Sequence, residues 1–212
     1  MRNRLKHLEM RLRARTPKFV KTTYRLARSF EKVEAPKQIN PTLLRDCRVC
    51  ASRRELVSLL PARARVAELG TFRGDFARVI VTQAQPAELH LVDIDYSPFK
   101  PDKLGGPEVH KHTGLTTDVL GKFADDYFDW IYVDGDHSYA GCLADARAAA
   151  AKVRGGGYLV FNDFAHIDPY MGRYGVQRAV TDFANDNSWT FAFFAFEPHG
   201  LYDVALQKPV KV

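Results

Sequence analysis

The sequence predicts an α/β fold built on a doubly wound, mostly parallel sheet. Short apolar runs alternate with stretches of helical character through most of the chain, and several of these runs end at acidic or glycine residues. The chain has 212 residues, of which 46% are hydrophobic and 26% are charged, so it is long enough to bury the core of one ordinary domain. Ligands of such sheets bind outside the carboxyl ends of the strands, so the residues at those ends are the candidates for a site.

The individual elements are predicted from apolar runs bounded by turn residues. Strands are expected at 65–70, 88–95, 108–114, 128–135 and 155–163. Two further runs, TFAFFAFEP and GLYDVALQK, predict a closing pair of strands joined by a turn around Pro198 and Gly200. Helices are expected in GDFARVIVTQA, in the alanine-rich SYAGCLADARAAAAKV and at 175–187.

Residues 1–35 differ from the rest of the chain in charge. They hold 11 of the 31 Lys and Arg residues and 3 of the 25 Asp and Glu residues, which leaves 20 basic and 22 acidic residues elsewhere. We expect a helical basic N-terminal extension over 1–35, a linker over 36–49 and one folded domain over 50–212. Residues 1–30 could contact an anionic membrane, or they form a solvated helix that packs on the body or on a partner subunit. The nearly neutral body argues against a nucleic-acid groove through the core.

Other compositional features bear on the location of the protein. No run approaches the roughly 20 apolar residues that span a bilayer, and the N-terminus has no apolar signal region. Three cysteines do not suggest a disulfide framework, and the pair Cys47 and Cys50 has no second pair with which to complete a zinc site. We therefore expect a cytoplasmic protein, membrane-peripheral only if the basic extension contacts lipid.

The sequence ELGTFRGDFA covers the end of the first predicted strand and the turn that follows it, and it contains Glu68, Gly70, Thr71 and Gly74. Glycine after a strand allows a tight turn and the close approach of a ligand. The dinucleotide fingerprint G-x-G-x-x-G is absent, because Phe72 stands two residues after Gly70, and this disfavours a dehydrogenase. The spacing acid-x-Gly-x-x-x-Gly is instead typical of sites for the amino-acid end of S-adenosylmethionine (SAM), although a plain strand–turn–helix would also explain it.

The second predicted strand ends at two acids. Asp93 lies 23 residues beyond Gly70, the interval at which a carboxylate meets ribose hydroxyls in such folds. Asp95 is the alternative for this role if the strand continues past Asp93.

The fourth and fifth predicted strands end in DGDHSY and FNDF. If these strands are neighbours, Asp134 faces Asn162 and Asp163 across a small gap, and their oxygens suit Mg²⁺ or another divalent cation. His137 is the best candidate for a general base, because the ordinary pKa of histidine lies near neutrality. The alternative is that this segment only caps the alanine-rich helix.

These motifs together carry a family resemblance. The segments ELGTFRGDFA, LVDID, FDWIYVDGDHSYAGCLADARAAAAKVRGGGYLVFNDF and GVQRAV resemble the class I SAM-dependent methyltransferases. The most similar subgroup has a D-G-x-H-x-Y segment and resembles metal-dependent O-methyltransferases that act on macrolide sugars and related small molecules. The resemblance covers roughly residues 50–206 and implies a Rossmann-like sheet of seven strands with an antiparallel last strand.

The resemblance also implies roles for individual residues. It implies contacts to the cofactor by the glycine-loop residues and by Asp93 and Asp134, a divalent metal on Asp134, Asn162 and Asp163, and a base at His137. Two positions depart from the family: Leu115 stands where relatives often carry an acid near the adenine, and Asn162 stands where several relatives have a second acid.

Residues 164–176, FAHIDPYMGRYGV, are the predicted acceptor loop, with His166, Tyr170 and Arg173 as substrate contacts. The predicted function is therefore metal-assisted O-methylation of a small-molecule hydroxyl, with SAM as methyl donor and a homo-oligomer left open. Two alternatives remain. One is an enzyme of the same fold without methyl transfer, similar to cephalosporin hydroxylases; the other is a non-catalytic module that uses the basic extension to bind a membrane or a polyanion.

Overall fold

The computed structural model describes residues 37–100, 104, 108–168, 172–198 and 201–210. The expectations for the basic extension and for Tyr170 lie outside these residues. The chain divides into two compact units, one of which includes Ile167–Arg173 while the other comprises Ala35–His166 and Tyr174–Val212. The first unit contributes a short antiparallel strand pair, and the second contains the main sheet.

The described helices are a 3₁₀ turn, Pro41–Leu44, and five α-helices: α1 (Arg53–Leu59), α2 (Asp75–Ala84), α3 (Thr116–Leu120), α4 (Tyr139–Lys152) and α5 (Val176–Asn187). The strands are β1 (Arg48–Cys50), β2 (Arg65–Leu69), β3 (Glu88–Asp93), β4 (Glu108–Thr113), β5 (Phe128–Val133), β6 (Val153–Phe161), β7 (Ile167–Asp168), β8 (Gly172–Arg173), β9 (Thr190–Glu197) and β10 (Leu201–Gln207).

The main sheet has eight strands in the order β1-β9-β10-β6-β5-β2-β3-β4. Strand β10 runs antiparallel to both of its neighbours, and all the other pairs are parallel. The chain moves outward from β2 to β3 and β4, and then returns to the opposite side of β2 as β5. The strand order therefore reverses between β2 and β5, and a crevice for ligands is expected at their carboxyl ends.

The predicted fold class is confirmed. All seven predicted strands form, and the last of them is antiparallel. Three additions lie in or next to the segment predicted as a linker: the 3₁₀ turn Pro41–Leu44, strand β1, which pairs with β9, and helix α1. Ser52 is the N-cap of helix α1: its hydroxyl accepts a hydrogen bond from the backbone N–H of Glu55, while the Glu55 carboxylate accepts one from the N–H of Ala51. This reciprocal cap explains why a helix starts there.

The core lies on both faces of the sheet, and strand β5 shows the division. Ile131 and Val133 pack on the face covered by α4 and α5, whereas Trp130 and Tyr132 pack on the face covered by α1 and α2. This alternation follows from the two-residue period of a strand. Both faces of β5 are apolar, as expected for a central strand of a parallel sheet. None of the helices in the described part of the chain is long and apolar enough to cross a membrane.

Candidate functional site

Four neighbouring strands, β6, β5, β2 and β3, end at the edge of the sheet where the strand order reverses, and backbone hydrogen bonds link their ends. The N–H of Gly70 donates to the carbonyl of Val92 (2.8 Å), and the N–H of Asp134 donates to the carbonyl of Leu69 (2.8 Å). The N–H of Asn162 donates to the carbonyl of Val133 at 3.1 Å. The ladder thus continues one residue past the strands, and it fixes the backbone from which the candidate side chains project.

Gly70 makes this close approach possible. Its φ is +93°, and a Cβ atom at this position would lie 2.1 Å from the carbonyl oxygen of Asp134. No side chain fits there, so only glycine allows β2 and β5 to end side by side. The same loop then turns through Phe72, whose φ is +49°, and Gly74, the N-cap of α2, whose φ is +79°.

The β2–β3 half of the site contains buried polar atoms that lack partners. Glu68 Oε2, Thr71 Oγ1 and the hydroxyl of Tyr96 are buried and form no hydrogen bond of ordinary geometry within the described residues, although interaction with Thr71 opposes the rise in pKa that burial causes in both Glu68 and Tyr96. Burial, and then the negative charge of Asp134, raises the pKa of Glu68 well above its ordinary value. Burial also raises the pKa of Tyr96, so its hydroxyl stays protonated. Unpartnered buried polar groups are costly in a folded protein, and a bound polar ligand would satisfy them.

Asp93 lies next to these groups and faces the glycine loop. One of its carboxylate oxygens accepts a hydrogen bond from the N–H of Phe72 (2.7 Å), and the other accepts one from the N–H of Asp95 (3.0 Å). Asp95 instead binds both the N–H and the hydroxyl of Ser97. Strand β3 ends at Asp93, so Asp95 does not share its strand face, and Asp93 is the acid directed at the loop.

The β5–β6 half of the site is centred on His137. The Nε2 atom of His137 lies 3.3 Å from Asp134 Oδ1, 3.3 Å from Asn162 Oδ1 and 3.8 Å from Asp163 Oδ2. Burial disfavours the imidazolium, but the hydrogen bond and the charge of Asp134 outweigh it and raise the pKa of His137. Burial also raises the pKa of Asp134, while the hydrogen bond from His137 opposes that rise.

Strands β5 and β6 are neighbours, which was the condition for the predicted approach of their ends, and Asp134, Asn162 and Asp163 converge on one point. That point is the imidazole nitrogen of His137 rather than an open position. Among the residues that the structure describes, no group of three or more His, Cys, Asp or Glu side chains is arranged to hold a metal ion. In this arrangement the oxygens face a protein nitrogen, so the structure gives no support for the divalent metal that the resemblance implied.

A second layer of polar residues supports the first, and sequence reasoning missed it. Asp203 on β10 is 0% exposed and accepts a hydrogen bond from Asn162 Nδ2 (3.2 Å) and another from the hydroxyl of Tyr132 (2.5 Å). Burial raises the pKa of Asp203 to about 7, although the hydrogen bond from Tyr132 and the positive charge of Arg53 oppose this. The sequence signal that could have identified Asp203 is an acid between apolar residues within the predicted strand GLYDVALQK.

The described residues include only part of the predicted acceptor loop, residues 164–176. His166 is half-buried, and its ring lies 4.6 Å from that of Tyr174. The Tyr174 ring also lies 4.6 Å from the ring of His137, so Tyr174 joins the two histidines. Arg173 belongs to β8, in the other compact unit, and Tyr170 lies outside the described residues. Tyr174 was not among the predicted site residues.

Comparison with known proteins agrees with this fold. Residues 67–164, which contain most of the site, match a family described as "Methyltransferase domain". This segment of the chain is therefore similar to a methyltransferase domain, and the match supports a methyltransferase enzyme. No curated protein matches the sequence.

Solved structures of similar fold include two methyltransferases from Burkholderia thailandensis. An O-methyltransferase family protein aligns with a TM-score of 0.55 and 15% identity, over 76% of this chain and 56% of that chain, so the match spans little more than half of that protein. The second, 1,6-didemethyltoxoflavin-N1-methyltransferase, was solved with S-adenosylhomocysteine bound; it has a TM-score of 0.51 and 14% identity over 75% of this chain and 79% of that chain. A protein from Corynebacterium glutamicum aligns over 98% of both chains with a TM-score of 0.53 and 16% identity. At these identities the likeness shows the fold.

Proposed function

We propose that the protein transfers a methyl group from SAM to a hydroxyl group of a small molecule. The observation that carries this proposal is the set of buried, unpartnered polar atoms on Glu68, Thr71 and Tyr96, at the point where the strand order reverses. The family match over residues 67–164 supports the same donor. A SAM molecule offers an ammonium group, hydroxyl groups and a sulfonium charge, which suit a crevice rich in acceptors.

The β2–β3 half is the proposed cofactor site. Glu68 would accept a hydrogen bond from the ammonium group of SAM, and the positive charge would favour the ionised carboxylate that burial disfavours in the empty site. Thr71 and Gly74 would line the same loop. Asp93 would accept from the ribose hydroxyls, since the backbone N–H groups of Phe72 and Asp95 already fix its carboxylate.

His137 is the proposed general base, and Asp134 and Asn162 orient it. The amide oxygen of Asn162 only accepts hydrogen bonds, so His137 Nε2 is the donor and carries the proton. In the neutral ring, Nδ1 then holds the lone pair that can take a proton from the acceptor. This is the logic of a base oriented by a third group, and the rise in the pKa of His137 increases its basicity.

The proposed reaction is a displacement at the methyl carbon of SAM. The acceptor oxygen forms a bond to the methyl carbon, the carbon–sulfur bond breaks, and its electron pair stays on sulfur to give neutral S-adenosylhomocysteine. The hydroxyl proton passes to His137 Nδ1 and is later lost to solvent. Displacement on a sulfonium depends mainly on alignment of the two reactants, so positioning supplies much of the rate. Asp134 stabilises the imidazolium that forms.

The metal-assisted form of this reaction is testable separately. Because the oxygens of Asp134, Asn162 and Asp163 are directed at His137, we derive no step through a metal. We expect turnover to be unchanged by a chelator. Metal-stimulated turnover that disappears in Asp134→Ala would contradict this expectation and restore the metal site.

The proposed function is tested by incubating the full chain with SAM and a panel of phenols and sugars, and by measuring the release of S-adenosylhomocysteine. We expect release that depends on one class of acceptor. In His137→Gln the rate should fall by roughly 10²–10⁴-fold, the usual contribution of a general base. His110→Gln, which changes a histidine on β4, is the matched control and should retain activity. Absence of acceptor-dependent release for every hydroxyl compound would count against an O-methyltransferase.

A further inference from the structure

Asp203 is a buried acid at the base of the site that touches none of the atoms proposed to react. It lies on β10, the antiparallel strand next to β6, and none of its surface is exposed. Three donors point at its carboxylate: the hydroxyl of Tyr132 (2.5 Å), Nδ2 of Asn162 (3.2 Å) and the backbone N–H of Asp163 (3.2 Å). Both carboxylate oxygens are thus occupied as acceptors.

This arrangement decides which way the amide of Asn162 faces. An amide group has one accepting end and one donating end, and exchanging them would bring two acceptors together at Asp203. The donating end of Asn162 therefore faces Asp203 and also the hydroxyl of Tyr132, at 3.3 Å. Its accepting end, Oδ1, is left facing His137 Nε2 at 3.3 Å.

We propose that Asp203 is a positioning residue for the base, acting through Asn162 to keep His137 Nε2 as a hydrogen-bond donor. Asp134 binds the same Nε2 atom from one side, and Asn162 binds it from β6. Two acceptors on neighbouring strands hold the ring more firmly than Asp134 alone, and they leave Nδ1 directed away from the cluster. This inference rests on the proposed function for its catalytic meaning, although the hydrogen-bond chain itself does not.

A purely structural role for Asp203 makes different predictions. A buried carboxylate is expensive to desolvate, and an apolar side chain of similar volume often packs as well or better. If Asp203 contributed only to the packing of the sheet, its replacement would change the free energy of unfolding and leave the hydrogen bonds and protonated nitrogen of His137 unchanged. The chain from Asp203 through Asn162 to His137 predicts instead that the state of the imidazole changes with residue 203.

The test is nuclear magnetic resonance of the full chain labelled with ¹⁵N-histidine. The signal of His137 is assigned by its loss in His137→Gln. In the wild type we expect a protonated Nε2 whose proton exchanges slowly with water. Asp203→Asn keeps an acceptor oxygen for Asn162 and should preserve this signal. Asp203→Leu removes the acceptor, and the Nε2 proton should exchange about tenfold faster, as expected for the loss of one hydrogen bond.

Two further variants keep the test decisive. Tyr132→Phe removes a neighbouring hydroxyl but leaves the Asn162–Asp203 bond, so the His137 signal should be unchanged. Asn162→Ala removes the amide oxygen without touching Asp203, and it should reproduce the effect of Asp203→Leu even if that variant does not fold. An unchanged His137 proton in Asn162→Ala, or in a folded Asp203→Leu, would overturn the proposal.

The enzymatic consequence is measured once an acceptor is in hand. Asp203→Leu should lower kcat about tenfold or more with KM for SAM unchanged, and Asp203→Asn should restore most of the rate. Binding of S-adenosylhomocysteine should be equal in all these variants. If the wild type does not bind S-adenosylhomocysteine, the proposed function fails while the magnetic resonance result still reports on Asp203, so the two failures are distinguishable.

Discussion

The two halves of the carboxyl edge treat their buried polar groups in opposite ways. In the β2–β3 half, polar atoms of Glu68, Thr71 and Tyr96 are buried without hydrogen-bond partners in the described residues. In the β5–β6 half, by contrast, Asn162 and Asp203 belong to a chain of hydrogen bonds that begins at His137. The two halves are joined at Gly70, where β2 and β5 come into contact.

This difference in hydrogen-bond pairing indicates a different role for each half of the site. A group left without a partner lowers stability in the empty protein, and it gains most when a ligand supplies the missing hydrogen bond. A group that is already paired contributes to stability and holds its neighbours in a fixed geometry. We therefore expect changes in the β2–β3 half to alter ligand affinity and changes in the β5–β6 half to alter stability. Within the β5–β6 half, only changes that break the link from Asp203 through Asn162 should alter the state of His137.

The largest effect is expected where the halves meet. Gly70→Ala places a methyl group against the carbonyl of Asp134 at a φ that disfavours any side chain, so the free energy of unfolding should fall by about 3 kcal/mol. Urea denaturation measures the change. Gly121→Ala is the matched control, because its Cβ would meet backbone oxygens only at 3.5 Å, and it should change stability by less than about 1 kcal/mol. Equal effects at the two positions would show that Gly70 does not join the halves.

Glu68→Gln tests the β2–β3 half, and it should raise the free energy of unfolding, whereas most substitutions lower it. The substitution removes a carboxylate that burial and Asp134 disfavour, so the empty protein should become more stable by roughly 1 kcal/mol at pH 7. The folded-state pKa of Glu68 lies above its ordinary value of 4.5, so its contribution to stability is present below pH 4.5 and is lost as the pH rises. The stability advantage of the variant should therefore grow upward from pH 4.5. A variant that is less stable than the wild type at neutral pH would contradict this account.

Tyr132→Phe tests the paired half. It removes a hydroxyl that donates to Asp203 and accepts from Asn162, so unfolding should become easier by about 1–2 kcal/mol while affinity for S-adenosylhomocysteine stays the same. Thermal and urea unfolding give the first quantity and calorimetry gives the second. Tyr158→Phe, which removes a hydroxyl that accepts from Gln207, provides a smaller reference effect. A loss of affinity in Tyr132→Phe without a loss of stability would reverse the assignment of the two halves.

The smallest effect is expected at His90, which lies within β3 beside the edge strand β4 and before the strand ends that form the two halves. His90 on β3 is buried, lies 3.1 Å from His112 through their ring nitrogens, and has a pKa lowered by burial. The unfolded chain takes up a proton near pH 6.5 while folded His90 does not, so stability should fall as the pH drops below 6.5. His90→Asn should flatten this part of the stability profile. If the stability of His90→Asn fell as steeply below pH 6.5 as that of the wild type, His90 would take up its proton in the folded state.

Much of the fold followed from apolar patterns in the sequence. Strands such as β5 and β6 contain apolar runs bounded by turn residues, so their existence was predictable, whereas their adjacency entered the sequence analysis only as a condition. Strand β1 has three residues and α3 has five, and neither is long enough to show a period. Helix α1 could have been found from Ser52 and Glu55, whose spacing matches a capping box.

The site was predicted less completely, for a physical reason. Spacing places Asp134, His137, Asn162 and Asp163 at adjacent strand ends, but it does not say which atom they surround. The sequence suggested a metal at this position, whereas the structure places the His137 nitrogen there. Asp203 was missed because its partners, Tyr132 and Asn162, are 71 and 41 residues away along the chain. Only the folded sheet brings them together.

The central claim is that the β2–β3 half binds SAM, and the most direct measurement is calorimetric titration of the purified full chain with S-adenosylhomocysteine. We expect micromolar binding by the wild type, unchanged by a chelator, and binding about tenfold or more weaker by Glu68→Gln, since a buried charge-assisted hydrogen bond is lost. Absence of binding by the wild type, or equal affinity in the two proteins, would contradict the assignment of this half of the site to the cofactor.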